Sequence, residues 1–302
     1  SYLLVPADLP FTTENVIPDT IPTIELPSVM KIAEKPVNMI NLDTAELSTD
    51  GVNFDEPLSV MGIKDNLLRE RYDGDLWLRF TFEASAEYIK SAENLRISVE
   101  PMNVKEVRVN GSEIYEIPGA WWFDKKFTVY DILPYTKEGR NEITIKLHHW
   151  QRDYVYYVLY GGVSESLRNC LVFDCEVEDI YLLGDFCVKC DGKFTDGERR
   201  SVLFDGKFSL EPQRDEIHIS DIVTDGYPFY AGHFKSSFVY NYSEGMPTVL
   251  KLTGRYAVCD VTVNGSEAGT LMFSNYLDLS DSLREGKNEI ILNMCNSNRN
   301  LM

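Results

Sequence analysis

The chain has 302 residues, 44% hydrophobic and 12% aromatic, with a formal net charge of −19. That length suggests about two domains of roughly 100–200 residues each, and the apolar content suffices for ordinary packed cores. The acidity argues against nucleic acid and anionic membrane as partners, because both attract basic surfaces, and no run of about 18 apolar residues marks a transmembrane helix.

The start, Ser1-Tyr2-Leu3-Leu4-Val5-Pro6, lacks a basic region and a long apolar core, so it does not read as a signal peptide. Without an initiating Met the chain reads as processed or as a piece cut from something longer. Residues 1–35 carry Pro6, Pro10, Pro18, Pro22 and Pro27, a density that blocks helices and central strands. Residues 1–37 read as an extended Pro-rich strap or linker. Leu3, Val5, Ile17, Ile21, Ile24 and Leu26 make it too apolar for a free tether, so it is expected to dock.

From Asn38 the pattern is that of a β protein. Asn38 to Leu47 reads as a strand ending in the turn at Asp50-Gly51. Asp65 to Arg71 suits a short helix. Leu76 to Phe82 alternates and is aromatic, and Asn94 to Val99, Phe127 to Ile132 and Glu142 to Trp150 are further strands. The segment from Gln151 to Gly162 is a Tyr-rich return, followed by a helical turn at Ser164 to Arg168.

One sentence in this sequence occurs twice. Val107-Arg108-Val109-Asn110-Gly111-Ser112-Glu113 is matched by Val261-Thr262-Val263-Asn264-Gly265-Ser266-Glu267, and Gly139-Arg140-Asn141-Glu142-Ile143 by Gly286-Lys287-Asn288-Glu289-Ile290. Asn-Gly is the strongest short hairpin signal, because a type I′ turn needs positive φ at both central residues. The copies lie about 150 residues apart, far beyond the roughly 20–50 residues of a solenoid repeat. The period is that of a whole domain, so the expected organisation is a first β-sandwich at 38–175 and a second at 176–302. The second is expected to open near Glu178 with Asp179 to Phe186 in the place of the Asn38 strand and Asp191-Gly192 in the place of Asp50-Gly51. His233 to Tyr240 stands where Leu76 to Phe82 stood, and Thr248 to Leu252 where Asn94 to Val99 stood. Val109 and Val263 are expected inside, with Arg108 and Thr262 facing out.

The order of an aromatic strand (Trp77 to Phe82), Val-x-Val-Asn-Gly, Tyr130-Asp131-Ile132 and Gly139-x-Asn141-x-Ile143 resembles the galactose-binding-like jelly-roll domains of large glycoside hydrolases. These include the β-galactosidase/β-glucuronidase family and bacterial α-L-rhamnosidase-like proteins. The second copy joins through Gly226-Tyr227-Pro228-Phe229-Tyr230-Ala231-Gly232, Val263-Asn264-Gly265 and Gly286 to Ile290. The resemblance covers roughly residues 38–302. It implies an all-β chain of two tandem jelly-roll β-sandwiches. It also implies a non-catalytic accessory role, carbohydrate-binding or domain-supporting, in a bacterial-type enzyme whose catalytic carboxylates sit in a separate barrel. The partners implied are a carbohydrate and the catalytic domain of the parent chain. No cofactor is implied beyond a structural calcium, for which Asp50, Asn53, Asp55 and Glu56 offer oxygens without EF-hand spacing.

The chemistry legible in the residues is that of a binding surface. No Gly-x-Ser-x-Gly elbow or phosphate loop occurs, and 48 acidic residues single out no carboxylate pair for glycoside hydrolysis. His148 and His149 are strand neighbours whose side chains diverge. Cys187 and Cys190 have zinc-ligand spacing, but on a strand they point to opposite faces. Scattered free thiols are more natural in a reducing compartment, which favours a soluble cytoplasmic chain over a secreted one without naming the compartment. A sugar needs an aromatic face beside polar groups. The candidates are Trp121, Trp122 and Asp124; Trp150, Arg152 and Tyr154 at a strand end; and Tyr227, Tyr230 and His233 in the second copy. The competing assignment is packing, since aromatics in β proteins commonly fill cores and interfaces. A structural module without sugar affinity and a self-contained hydrolase are the alternative functions.

Overall fold

The structure is a computed structural model, and it describes residues 21–100, 103–198, 202–254, 256–272 and 274–296. The first twenty residues of the Pro-rich segment lie outside that range. The chain is mostly β. Its strands are β1 (Thr23–Ile24), β2 (Val29–Glu34), β3 (Asn38–Leu42), β4 (Thr44–Ser48), β5 (Leu58–Ser59), β6 (Gly74–Ala84), β7 (Leu95–Val99) and β8 (Val104–Val109). They continue with β9 (Ser112–Ile114), β10 (Glu116–Trp122), β11 (Asp124–Asp131), β12 (Gly139–His149), β13 (Ile180–Gly184), β14 (Phe186–Asp196) and β15 (Val202–Pro212). The last are β16 (Glu216–His218), β17 (His233–Tyr242), β18 (Val249–Lys251), β19 (Val258–Val263), β20 (Ser266–Leu271), β21 (Tyr276–Asp278) and β22 (Gly286–Cys295). The helices are α1 (Val60–Glu70), α2 (Ala86–Ser91), α3 (Asp153–Tyr160) and α4 (Glu165–Asn169). Ser59 and Ser85 cap α1 and α2, each side chain accepting a backbone N–H at 3.1 Å, as N-cap serines do.

Among the described residues two compact units result, one of residues Glu34–Gly232, the other of 21–33 with His233–Asn296. The boundary expected at 175/176 therefore falls inside the larger unit. The reason is strand pairing. β13 does not open a second domain but lies between β3 and β7, Leu182 opposite both Ile40 and Ile97. Asp191 and Gly192 form no turn either; they sit within β14, paired with Lys207 and Gly206. The described part of the expected strap is also strand. β1 pairs in parallel with β18, and β2 lies beside β17. The Tyr-rich return is the helix α3.

In the larger unit one sheet runs β10-β11-β7-β13-β3 and the other β14-β15-β6-β12-β8-β9. Their facing residues form one buried cluster: Leu78 and Phe80 from β6, Ile143 and Ile145 from β12, Val109 from β8, and Leu95, Ile97, Ile180 and Leu182 from the other sheet. Each such side chain contributes about 1.5–3 kcal/mol by leaving water.

The repeated sentence folds the same way in both units. The strand order β6-β12-β8-β9 in one is β17-β22-β19-β20 in the other. Asn110 and Asn264 have φ of 49° and 52°, and Gly111 and Gly265 have 84° and 80°, as the Asn-Gly turn requires. Val109 and Val263 are buried, Arg108 is exposed and Thr262 half-buried.

The second asparagine of each copy, Asn141 or Asn288, is fully buried. Asn141 Oδ1 accepts from Lys137 N and Asn110 Nδ2, both at 2.8 Å, and its Nδ2 donates to Lys137 O and Gly139 O at 2.8 and 2.9 Å. Asn288 Oδ1 accepts from Arg284 N at 3.1 Å and Asn264 Nδ2 at 2.8 Å, and its Nδ2 donates to Arg284 O at 2.8 Å and Gly286 O at 3.0 Å. Asn110 and Asn264 complete the set by accepting the N–H of Glu142 and Glu289 on Oδ1, both at 3.1 Å.

Replacing Asn141 or Asn288 by Ala strands several of these groups away from water, at about 1 kcal/mol or more for each. Each variant is expected to lose roughly 3 kcal/mol in urea unfolding, whereas Arg108→Ala on the outer face is expected to change stability by under about 0.5 kcal/mol.

Candidate functional site

Alternation decides what the outer face of the five-stranded sheet displays. Ile97 and Val99 of β7, Ile180 and Leu182 of β13, and Tyr130 of β11 belong to the core. Their neighbours Ser98, Tyr181 and Val129 therefore stand on the opposite face. Register puts Asn41, Tyr181, Ser98 and Val129 in one row across four strands. Phe127, two residues before Val129, shares that face.

Trp122 joins them from the β10–β11 hairpin. Its ring lies 5.0 Å from Tyr181, 5.7 Å from Phe123 and 6.5 Å from Phe127, and Phe127 lies 6.0 Å from Tyr181. Trp122 pairs with Asp124, so Phe123 is the hairpin tip. Phe123 adopts φ of 66°, a left-handed conformation that an aromatic residue reaches only at a cost of about 1 kcal/mol. Its ring is nevertheless half exposed. A left-handed backbone at an aromatic residue is uncommon, and here it turns the ring toward solvent. A register shift separates Trp121 from Trp122; Trp121 is 55% exposed while Trp122 is half-buried in the ring cluster. Asp124 is exposed, and its Oδ1 accepts the N–H of Lys126 at 2.9 Å.

Polar groups border the rings. Asn41 Nδ2 donates to Asp179 Oδ2 at 3.0 Å. Lys64 Nζ reaches Glu178 at 2.7 Å and Glu176 at 4.0 Å. Burial pushes the carboxyl groups of Asp179 and Glu176 above the usual range, and for Glu176 a hydrogen bond with Glu178 pushes further. The Tyr181 phenol is raised by burial and then by Asp179, Glu178 and Glu100.

The other sequence candidates are not gathered here. Tyr227 and Tyr230 are buried and meet edge to face at 5.9 Å. Neither offers a free ring face, because the Gly226–Gly232 segment turns both inward. His233 is exposed and begins β17 of the other unit. Trp150 is partly exposed after β12. Arg152 N donates to Asp174 Oδ2 at 2.9 Å, its Nε lies 3.3 Å from Asp174 Oδ1, and its guanidinium lies 5.9 Å from the Tyr154 ring. That group ties the end of β12 to the segment before β13. Asp50, a calcium candidate, directs its oxygens at Val52 N, Asn53 N and Asn53 Nδ2, which hold its pKa far below the usual carboxylate range. Among the described residues no group of three or more His, Cys, Asp or Glu side chains is placed to hold a metal ion. Cys187 is buried and Cys190 half-buried, and burial pushes the Cys190 thiol up to about 11. His148 bonds Asp75 at 2.8 Å while His149 is buried against Tyr72 O at 2.8 Å.

A second aromatic cleft, about 410 Å³, lies on the outer face of β6-β12-β8 around Trp77. Its indole is already occupied. A Cβ on Gly51 would sit 2.9 Å from the ring, and Lys146 Nζ is 4.7 Å from the ring centre. Arg79 pairs with Glu46 and Arg108 with Glu106. The residues missed by sequence reasoning are Phe127, Tyr181, Asn41, Ser98 and Asp179. Alternation marked Tyr181 as facing away from Ile180 and Leu182, but which strand lay beside it was not readable.

No protein-family model and no curated protein sequence matches this chain. Among solved structures it is similar to a β-glucuronidase from Ruminococcus gnavus, at 12% identity and a TM-score of 0.34, over 91% of this chain and 40% of that one. It is also similar to a β-D-mannosidase from Dictyoglomus thermophilum, at 12% identity and a TM-score of 0.34, over 85% of this chain and 31% of that one. The chain thus spans well under half the length of either, and at these scores the likeness decides nothing about its chemistry. No helix among the described residues is long and apolar enough to cross a membrane.

Glu176 supplies a pH test. Its folded pKa lies above the unfolded one, so its stabilising contribution is present below the unfolded value and lost as pH rises through the folded value. Relative to the Glu176→Gln variant, the natural chain is expected to melt progressively lower as pH rises from about 4 to about 7, read by thermal unfolding across that range.

Proposed function

We propose that this chain is a non-catalytic, carbohydrate-binding accessory region of a larger glycoside hydrolase, built from two copies of a galactose-binding-like jelly roll. The observation that carries the binding assignment is the ring cluster of Trp122, Phe123, Phe127 and Tyr181 on an outer sheet face. Sugar rings have an apolar face that stacks on aromatic side chains and hydroxyls that need oriented polar partners. Here the platform is partly exposed, one of its members is held in a strained conformation, and Asn41 and Asp179 lie beside it. The doubled Asn-Gly and Gly-x-Asn-Glu-Ile network supports the reading as two related copies. The parent enzyme and its catalytic domain are part of the proposal and follow from the family resemblance of the sequence.

A second reading, a support module without sugar affinity, is favoured by one feature. Helix α3 buries Val155 and Val158 while leaving Tyr154, Tyr157 and Tyr160 about half exposed, a stripe at three-residue spacing suited to a protein partner.

The two readings part on one titration. Addition of a panel of glycans to the chain, followed by tryptophan fluorescence, is expected to give saturable quenching with one sugar class. Trp122→Ala is expected to weaken that affinity by about tenfold, equivalent to about 1.4 kcal/mol, in a chain that still unfolds cooperatively but at a lower urea midpoint, because the ring also packs on Tyr181. Quenching unaffected by Trp122→Ala would move the site elsewhere, and a folded chain silent to the whole panel would leave the support module.

A further inference from the structure

Strand β14 ends the eight-stranded sheet, and among the described residues no strand pairs with its outer edge. On its inner side it pairs with β15 in unbroken register, from Phe186 opposite Pro212 to Asp196 opposite Val202. β15 in turn meets β6 only at Ser209 and Leu210, so the outer half of the hairpin is a two-stranded arm. The root of the free edge is closed. Val188 N donates to Gly226 O at 2.9 Å, and Phe186 O accepts from Asn38 Nδ2 at 2.9 Å. The backbone groups of Phe186 and Val188 therefore point away from β15. Such groups alternate sides along an antiparallel strand, so the N–H and C=O of Cys190, Gly192 and Phe194 point away as well. From Lys189 to Asp196 no hydrogen bond meets this edge among the described residues, and Asp191, Gly192 and Lys193 at its middle are exposed. An open edge of this kind is a template for another strand. Between Lys189 and Lys207 five Lys and Arg stand against four Asp and Glu, so this stretch escapes the acidity of a chain whose net charge is −19.

We propose that the edge of β14 pairs antiparallel with the same edge of a second copy of this chain, about a two-fold axis at Gly192. In that register the N–H and C=O of Cys190, Gly192 and Phe194 all find partners, and the pairing stops where Gly226 already covers Val188. Asp191 falls opposite Lys193 of the second copy, and Lys193 opposite Asp191 of the second copy. Within each hairpin Asp191 already faces Lys207, and Lys193 faces Asp205. Each row across the four strands thus alternates in sign, which stabilises cross-strand pairing, whereas like charges oppose it. Cys190 falls opposite Phe194 of the second copy, on the face where Phe204 lies 4.8 Å from Phe194 and 4.5 Å from Phe208. The charges select this register. An axis at Asp191 or at Lys193 would set that residue against its own copy, and one at Phe194 would leave Lys193 facing Thr195. An axis at Cys190 needs Val188, which Gly226 holds. An isologous contact closes on itself as a dimer instead of growing into a fibre. Its few residues make it small, so the association is weak and depends on concentration.

Sedimentation of the chain from about 1 µM to about 1 mM is expected to show a monomer giving way to a dimer. Hydrogen exchange of the natural chain is expected to slow at the amides of Cys190, Gly192 and Phe194 in the dimer and to recover on dilution. Asp191→Lys alone and Lys193→Asp alone each set like charges opposite one another beside the axis. Each is expected to weaken the dimer by about tenfold or more while still unfolding cooperatively. An equal mixture of the two variants restores opposite charges across the axis and is expected to dimerise at close to the natural affinity. A chain that stays monomeric across the whole range overturns the proposal. So does a dimer whose three amides exchange as fast as in the monomer, a dimer that both charge variants leave intact, or a mixture that associates no better than its components. Exchange in the natural chain needs no variant and decides the matter by itself if either substitution unfolds the arm.

Discussion

Each unit depends on a pair of asparagine side chains, Asn110 with Asn141 and Asn264 with Asn288. One member turns the chain through a left-handed conformation at the hairpin tip, which asparagine tolerates and branched residues do not. The other is buried where the long strand begins and needs two donors and two acceptors in one planar fork. Only an amide supplies that set; a carboxylate has no donors and a hydroxyl has too few. The first amide donates to the second, so tip and strand are fixed to one another. Because strand side chains have period two, a slip of one residue would turn every core residue outward. The polar pair therefore sets the register on which the apolar core is built.

That register reaches the candidate site through the core. In the larger unit, Val107 and Val109 pair opposite Ile145 and Ile143, and their side chains belong to the same buried cluster as Leu95, Ile97, Ile180 and Leu182 of the facing sheet. Once those four are inside, Arg96, Ser98, Tyr181 and Asp179 have no choice of face. The site is thus the reverse side of the core, and its rigidity is that of the sheet rather than of a loop. The exception is Trp122-Phe123, which arrives from a hairpin tip held in a strained conformation.

Aromatic residues illustrate how far local reading extends. Trp121 and Trp122 are neighbours in sequence with different fates, one exposed and one packed on Tyr181, because a register irregularity separates them. Tyr227 and Tyr230 have the composition of a binding cluster but are buried, a matter of how the Gly226–Gly232 segment turns. Trp77 lies on a strand face as an exposed ring would, yet the Asp50-Gly51 turn folds over it. Composition marks where aromatic rings occur. Whether a ring has a free face depends on what the rest of the chain lays upon it, and that is a long-range property.

By itself, the sequence determined the class of structure and its punctuation: β strands, the two Asn-Gly hairpins, the burial of Val109 and Val263, and the divergence of His148 and His149. All of these follow from side-chain period and backbone sterics within a few residues. Tertiary structure alone decided the assembly of the units. Residues 21–33 join 233–296 through β1 and β2, and β13 inserts between β3 and β7 instead of opening a new domain. Strand partners are chosen by shape and burial across more than a hundred residues, and alternation, which records only which face of a strand is wet, does not name the neighbour. The site inherits that division, since Trp122 was visible in the sequence while Tyr181, which completes its platform, became its neighbour only when β13 took its place in the sheet.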